Sequence, residues 1–186
     1  MIDVDPTWQP TLCGERLELR PVRPSDHDAL YAVASDPLIW DQHPERDRYR
    51  REVFDRYFQG AIDSGGGLVA VDRASGRIVG ASRYYDWDPE ARCVAIGFTF
   101  LERALWGTSA NREMKRLMLA HAFRWADSAI FHVGPDNRRS RRAMEKLGAE
   151  FVGEETTIVD GARKSRVVYR IRRESFPAAG SETEER

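Results

Sequence analysis

The chain has 186 residues, of which 41% are hydrophobic and 32% are charged, so it is long and apolar enough to form one globular domain. Its net charge of −1 excludes a general nucleic-acid binder, and charged residues interrupt every apolar run too early for a membrane span. It has only two cysteines, no CxxC motif and no signal-peptide pattern at its start, so we expect a cytoplasmic protein without a structural metal.

The N-terminal third is predicted to form one strand and two helices. Apolar and charged residues alternate over Arg16–Val22, as in a half-buried strand. The first helix is expected to begin at a Ser25 cap and to end before Asp36-Pro37. A second helix is predicted from about Glu45 to Ile62, because large apolar residues recur there at helical spacing.

The middle of the chain is predicted to contain three strands followed by the longest helix. Runs rich in β-forming residues span Leu68–Val71 and Ile78–Tyr85, and the polar turn Asp72–Gly76 joins them as a hairpin. A third run covers Cys93–Leu101. The long helix is expected over about Ala110–Ala126, where apolar residues again share one face.

The C-terminal third is predicted to add a buried strand, a helix and a hairpin. The short apolar run Ala129–Val133 is typical of a central strand flanked by helices. A helix opened by Asp136 or Asn137 is expected to end at Gly148. Two strands around a turn complete the domain: Phe151–Val159, Asp160-Gly161 and Arg166–Ile171.

The predicted order of elements is therefore β-α-α-β-β-β-α-β-α-β-β. This order favours an α/β protein in which a twisted mixed sheet carries helices on both faces. We expect one domain over residues 12–174, and the polar residues 175–186 are predicted to be a disordered tail.

The stretch that leads into the long helix has the character of an anion site. A strand ends near Phe100 and Leu101, and four small residues, Gly107 to Ala110, precede the helix. Backbone N–H groups converge at such a helix start, and the helix dipole favours phosphate there. The alternative is an ordinary strand-to-helix turn.

Several motifs, taken together and in order, resemble the GNAT acetyltransferase superfamily. They are Leu12–Pro21, Trp106-Gly-Thr-Ser-Ala110, Asn137-Arg-Arg-Ser140 and Glu145-Lys-Leu-Gly148. The resemblance covers about residues 12–174 and is strongest to the branch of ribosomal-protein N-terminal acetyltransferases. It implies a GNAT fold and transfer of an acetyl group from acetyl-CoA, as co-substrate, to an amine.

The resemblance also implies a set of site residues. Ser140 would protonate the leaving thiolate, although a serine near a helix start can also simply bond the backbone. Acceptor contacts are expected at the loop and strand positions Trp40, His43, Arg83 and Tyr84, with a packed loop or a surface ion pair as the alternatives. Acetyl-CoA contacts are expected at Phe100, Leu101, Trp106, Gly107, Thr108, Ser109, Ala110, Asn111, Asn137 and Arg139.

Two of these cofactor contacts have plain structural alternatives. Asn137 is expected to bond the pantetheine arm, but it also suits a helix cap. Arg139 belongs to a basic run, Arg138 to Arg142, that either meets CoA phosphates or is a solvated helix face. Nucleic acid is not expected there, because no aromatic residue is interleaved with the basic ones.

Four positions depart from the family pattern. In the turn, Ala104 replaces a polar residue and Ser109 replaces a glycine. Ala95 replaces the common glutamate, and Met144 replaces the common tyrosine acid. With both usual acid–base groups absent, the acceptor is predicted to be a weakly basic amine, either a protein N-terminus or a small molecule. The alternative is a non-catalytic acyl-CoA-binding or regulatory protein, and either is expected to be a monomer or a homodimer.

Overall fold

The computed structural model describes residues 6–159 and 162–176. The strands are β1 Leu12–Cys13, β2 Leu17–Pro21, β3 Gly67–Asp72, β4 Ile78–Asp88, β5 Cys93–Leu101, β6 Ser128–Val133, β7 Glu150–Val159 and β8 Ala162–Arg172. The α-helices are α1 His27–Ala34, α2 Arg51–Asp63, α3 Ala110–Ala122 and α4 Arg138–Lys146. Short 3-10 turns lie at Pro24–Asp26, Pro37–Ile39, Arg103–Leu105 and Arg173–Ser175.

The strands form one mixed sheet in the order β1-β2-β3-β4-β5-β6-β8-β7. β5 and β6 pair in parallel, and every other neighbouring pair is antiparallel. The parallel pairing ends at Ala95 and Ile130, although β5 continues to Leu101 and β6 to Val133. The two strands therefore diverge beyond this point and open a gap in the middle of the sheet.

Helices cover both faces of the sheet, as the sequence predicts. Neighbouring residues of β3 point to opposite sides because of the strand pleat. Val69 belongs to a buried cluster with α1 and α2, whereas Leu68 and Ala70 belong to a second cluster with α3. The mixed α/β architecture is confirmed, and the element order differs from the prediction by the added two-residue strand β1.

A bulge in β5 shapes the gap. Ala81 pairs with Phe100 and Arg83 with Gly97, so two residues of β5 oppose Ser82 alone. Phe98 takes up the extra length with a φ of +53°, a strained value for a bulky residue. Bulges of this kind bend a strand, and this one lies where β5 leaves β6.

Two helix boundaries differ from the prediction. α2 begins at Arg51 rather than near Glu45, because residues 41–50 form irregular turns that include Pro44. α3 ends at Ala122 rather than near Ala126, because the chain turns there and the Asp127 N–H bonds the carbonyl of Arg92. Helical periodicity cannot detect such turns, since their causes are tertiary.

The start of α1 uses a different polar residue from the predicted Ser25. Asp26 is the N-cap residue, and its carboxylate accepts hydrogen bonds from the Arg23 N–H and, at 2.8 Å, from the Arg20 guanidinium. This ion pair and the two hydrogen bonds lower the pKa of Asp26 despite its burial.

At the C-terminal end, the turn Asp160-Gly161 and residues 177–186 of the predicted tail lie outside the described residues. The described end of the chain folds back on the domain. Ser175 belongs to a 3-10 turn, and the Phe176 ring packs 5.4 Å from that of Phe123.

Candidate active site

A cavity of about 1150 Å³ occupies the gap between the diverging strands. Its walls are the second half of β5, the end of β6, the turn before α3, the start of α4 and the loop from Ile39 to Arg48. Within the described part of the chain, its lining includes many arginines and lysines and no aspartate or glutamate. An electropositive cleft of this size suits a large anionic ligand.

The predicted small-residue turn forms one end of this cavity. Gly107 has a φ of +76°, and a Cβ built on it would meet nothing within 4 Å, so the backbone is open to an approaching ligand. Among the described residues, no acceptor takes the N–H groups of Ser109, Asn111 and Arg112. Free donors at a helix start have the chemistry that suits a phosphate group.

Ala110 and Thr108 play other parts in the turn. The Ala110 N–H donates to Thr108 Oγ1 at 3.2 Å, and its methyl group is fully buried in the core. Ala110 therefore does not line the cavity, and its contact with the cofactor stays a prediction. Thr108 Oγ1 also donates to the Leu105 carbonyl at 2.7 Å, so this side chain fixes the shape of the turn.

The two large residues that precede the turn lie where the sequence predicts. Phe100 and Leu101 both line the cavity and are buried. The Trp106 indole also lines it and donates through Nε1 to the Leu101 carbonyl at 3.1 Å.

Arg139 differs in role from the other basic residues of α4. Its guanidinium lies 3.8 Å from the centroid of the Trp106 ring and donates to the Ile39 carbonyl at 2.9 Å. It also contacts Asp41, and its backbone N–H donates to Gln42. Arg139 thus clamps the loop to α4 instead of presenting a free cation. Among the described residues, the exposed cations Arg112, Arg138, Arg142 and Lys146 line the cavity without an acid partner, and so do Arg48 and Lys115 deeper in it.

The start of α4 places an amide and a hydroxyl on the cavity wall. Asn137 is buried and caps the helix, its Oδ1 accepting from the Ser140 N–H at 3.0 Å. Since Asn137 does the capping, the Ser140 hydroxyl has no partner among the described residues and lines the cavity. Met144 lines the same wall one turn further on.

The loop side of the cavity is aromatic and buried. Trp40 is 1% exposed and donates through Nε1 to the Ala34 carbonyl, so it forms a fixed wall. His43 packs against it, and its Nδ1 accepts from the Glu45 N–H at 2.9 Å. Burial, and next the Arg48 charge, lower the pKa of His43 to about 3. His43 is therefore neutral, carries its proton on Nε2 and donates hydrogen bonds rather than accepting protons.

The structure separates Arg83 from Tyr84, which the sequence analysis placed together at the acceptor. Neighbouring strand residues point to opposite faces, so the two cannot line one cleft. Tyr84 is 1% exposed on the α3 face, where its hydroxyl donates to the Met118 carbonyl, and the prediction that it binds substrate is wrong. Arg83 lines a smaller neighbouring cavity, and Tyr85 takes the place on the main cavity that was predicted for Tyr84.

Sequence reasoning missed a buried lysine. Lys115 lines the cavity, and its Nζ donates to Thr99 Oγ1 at 2.6 Å and lies 3.4 Å from Ser82 Oγ. Burial alone lowers the pKa of this amine to about 7. Its spacing was a usable signal, because Lys115 stands three residues before Met118 and so shares the buried face of α3.

A tyrosine–histidine pair was missed as well. The Tyr85 hydroxyl lies 2.8 Å from His132 Nδ1, and both side chains line the cavity. Burial raises the pKa of Tyr85 to about 12 and lowers that of His132. Both groups are therefore neutral at pH 7.

Metal and membrane sites can be judged only for the described residues. In residues 6–159 and 162–176, no group of three or more His, Cys, Asp or Glu side chains is placed to hold a metal ion. No helix in the same ranges is long and apolar enough to cross a membrane. Cys13 and Cys93 are both free thiols.

Comparison with known proteins connects this site to a family. The acetyltransferase (GNAT) domain matches residues 16–150. A protein from T. thermophilus assigned as an acetyltransferase is 27% identical, with a TM-score of 0.72, over 90% of this chain and 91% of that one. Mycobacterium smegmatis RimJ, solved in complex with CoA-disulfide, is 20% identical, with a TM-score of 0.75, over 94% and 93%.

A third similar structure is the ribosomal-protein-S5-alanine acetyltransferase from Vibrio fischeri. It is 14% identical, with a TM-score of 0.68, over 91% of this chain and 100% of that one. The similarity to the structures that are 20% and 14% identical establishes a shared fold. The domain match establishes the family, because it covers residues 16–150 of the 186.

Proposed function

The chain belongs to the acetyltransferase (GNAT) domain family, and we propose that it acetylates amines that are already largely neutral near pH 7.5. Enzymes of this family use acetyl-CoA as co-substrate. Peptide N-terminal α-amines, with a pKa of about 7.7–8.0, fit the proposed acceptor class, whereas lysine side chains, near 10.4, do not.

The observation that carries this proposal is that no carboxylate of residues 6–159 and 162–176 lines the cavity. A base must remove a proton before the acceptor nitrogen can attack. His43, with a pKa of about 3, is too weak a base. Lys115 lines the described walls, and with a pKa of about 7 its amine is largely neutral at pH 7.5 and can accept a proton.

The difference in pKa between the acceptor ammonium group and Lys115 sets the free-energy cost of deprotonating each acceptor. Transfer of a proton to Lys115 from an α-ammonium group costs about 1 kcal/mol, and from a lysine ammonium group roughly 5 kcal/mol, at 1.36 kcal/mol per pKa unit. The site therefore favours α-amines by a wide margin. We assign proton removal to Lys115 on this ground.

The remaining steps follow the chemistry of acyl transfer. The neutral acceptor nitrogen attacks the thioester carbonyl carbon, the C–N bond forms and the C–S bond breaks. An ammonium acceptor first gives one proton to Lys115, which passes it to solvent water. After the attack the nitrogen gives its second proton to the neutral Lys115 amine, and the leaving sulfur gains one from the free Ser140 hydroxyl, which lines the same cavity. Transfer of the proton from Lys115 back to Ser140, through water, restores both groups.

The turn side of the cavity fits the co-substrate. Its open Gly107, its free N–H groups and its exposed basic side chains suit a pyrophosphate and a ribose phosphate. The Ser109 side chain makes no cap hydrogen bond to the helix, so its hydroxyl is available to donate to a phosphate.

The decisive experiment compares two peptides of one sequence. The first has a free N-terminus and no lysine, and the second has a blocked N-terminus and one lysine. We expect acetylation of the first to be at least about tenfold faster, with the modified nitrogen located by mass spectrometry. Faster modification of the blocked peptide would exclude the α-amine proposal. Binding of CoA without acetylation of any amine would instead favour a non-catalytic role.

A further inference from the structure

A second cavity, of about 220 Å³, lies next to the main one and shares Arg48 and Phe98 with it. We call it the arginine chamber. Three arginines and a single carboxylate contribute to its wall. The described residues that line it are Glu45, Arg48, Val53, Arg56, Tyr57, Gly60, Arg83 and Phe98. It is too small for a folded protein and large enough for a short acidic side chain.

Arg83 brings a buried charge to this chamber. Its side chain is 7% exposed, and its guanidinium carbon lies 4.2 Å from the centroid of the Phe98 ring. Nη2 donates to the Tyr57 carbonyl at 3.0 Å, whereas Nε is buried with no hydrogen-bond partner. No carboxylate pairs with Arg83 anywhere in residues 6–159 and 162–176.

Arg48 brings a second charge to the same place. Its guanidinium carbon lies 5.1 Å from the centroid of the Tyr57 ring and 5.7 Å from that of Phe98. Its polar contact is with His43 Nε2, at 3.3 Å. A neutral imidazole has one acceptor nitrogen, and the shorter bond from the Glu45 N–H occupies it, so this contact is not a hydrogen bond.

The groups that could balance these charges are neutral or already engaged. Burial raises the pKa of Tyr57 to about 12, and its hydroxyl donates to the Phe98 carbonyl at 2.7 Å. Glu45 pairs with Lys164. Two guanidinium groups thus share one chamber with no acid of their own in the described structure. Buried charges of this kind are normally paired, because an unpaired one is costly.

We propose that the arginine chamber binds a carboxylate carried by the acceptor, so that the preferred substrates are amines with an acidic group nearby. This inference rests on the proposed function. The planar guanidinium fork matches a carboxylate in geometry as well as in charge. The phosphates of CoA have their own donors at the turn before α3, which leaves the chamber for the other substrate.

Matched acceptor pairs test the proposal. One pair is a peptide beginning with Glu and the same peptide beginning with Gln, and the other is glutamic acid α-amide and glutamine amide. Each pair differs only in the charge of one group, and the two pairs distinguish a peptide source from a small-molecule source. We expect kcat/KM to be at least about tenfold higher for the carboxylate member of one pair or both.

Substitutions then assign the preference to the chamber. Arg83→Met should abolish it, whereas Arg46→Met should retain it, because Arg46 is an exposed residue that lines neither cavity, although it lies in the loop that carries Arg48. Gly60→Ala is a second, independent variant. Its methyl group would lie 3.4 Å from Arg83 Nη1 and would obstruct the carboxylate without removing a charge. Alanine also favours helix, so this variant should fold.

The outcomes separate this proposal from the function on which it rests. Equal kcat/KM within both pairs, or an undiminished preference in Arg83→Met and Gly60→Ala, would overturn the chamber's role while leaving α-amine acetylation intact. If no amine is acetylated, calorimetry with glutarate measures the chamber directly. Binding that weakens at least about tenfold in Arg83→Met would support the site, and equal or absent binding would refute it.

Discussion

The turn before α3 and the loop before α2 face each other across the cavity, yet they present different chemistry. At the turn, the ligand meets free backbone N–H groups and exposed basic side chains. At the loop, it meets neutral rings and the half-buried Arg48. We therefore expect the turn to bind the phosphates of the co-substrate and the loop to contact the acceptor.

The largest effect is expected between these two regions, at Lys115. Lys115→Met should lower kcat by at least about 100-fold, because it removes the base. In the wild type, kcat/KM should rise with pH through about 7, as the Lys115 amine becomes neutral. Steady-state assays from pH 6 to 9 measure this, and an unchanged profile in the variant would move proton removal to another group.

The same variant gives a stability readout that shows whether it folds. In the wild type, the unfolded chain holds the Lys115 proton up to about pH 10.5, whereas the folded chain releases it near 7. Stability from this group therefore rises with pH across that window. Lys115→Met should be more stable than the wild type at pH 7, by about 1.4 kcal/mol per pKa unit of the shift, and the difference should fall as the pH rises.

The next effect concerns the leaving group, on the turn side. Ser140→Ala should lower kcat by about 10- to 100-fold with the CoA Kd nearly unchanged. The helix start should survive, because Asn137 provides the cap. Ser35→Ala, at the end of α1 and outside the cavity lining, is the control. A wild-type kcat in Ser140→Ala would show that Ser140 lines the cavity without protonating the leaving group.

Gly107 tests the turn itself. Gly107→Leu should weaken CoA binding at least about tenfold, because its side chain would extend into the open space that the phosphates need. Gly76→Leu is a matched control, since Gly76 also has a positive φ, of +70°, and open surroundings, but lies in the hairpin between β3 and β4. Calorimetry on both variants separates steric obstruction from backbone strain. Equal affinity in the two would place the phosphates elsewhere.

The smallest effect is expected on the loop side. His43→Ala should raise the acceptor KM about three- to tenfold, which is the worth of one neutral hydrogen bond, and should leave the acetyl-CoA KM unchanged. The test sharpens the contrast between the two regions. A rise in both KM values would mean that the loop serves both substrates.

The turn side was largely predictable from sequence because its contacts are local. The bounds of β5 agree with the prediction, and the small residues before α3 need only their neighbours to form a phosphate site. The cap of α4 is similarly local, since Asn137 bonds a residue three positions on.

The loop side depended on tertiary structure. Arg48 and Arg83 lie near the same Tyr57 ring only because α2 packs on β4. The spacing of residues in the sequence shows neither that the two arginines lack an acid partner in the described structure nor that Tyr57 is neutral. The exchange of Tyr84 for Tyr85 follows from the strand pleat, which the motif pattern ignored. Sequence by itself predicted the family, every strand except the two-residue β1, and the small-residue turn before α3, because the interactions behind these features span a few residues. Burial decided the rest, because the pKa of Lys115 and the unpaired charge of Arg83 exist only once distant segments exclude water.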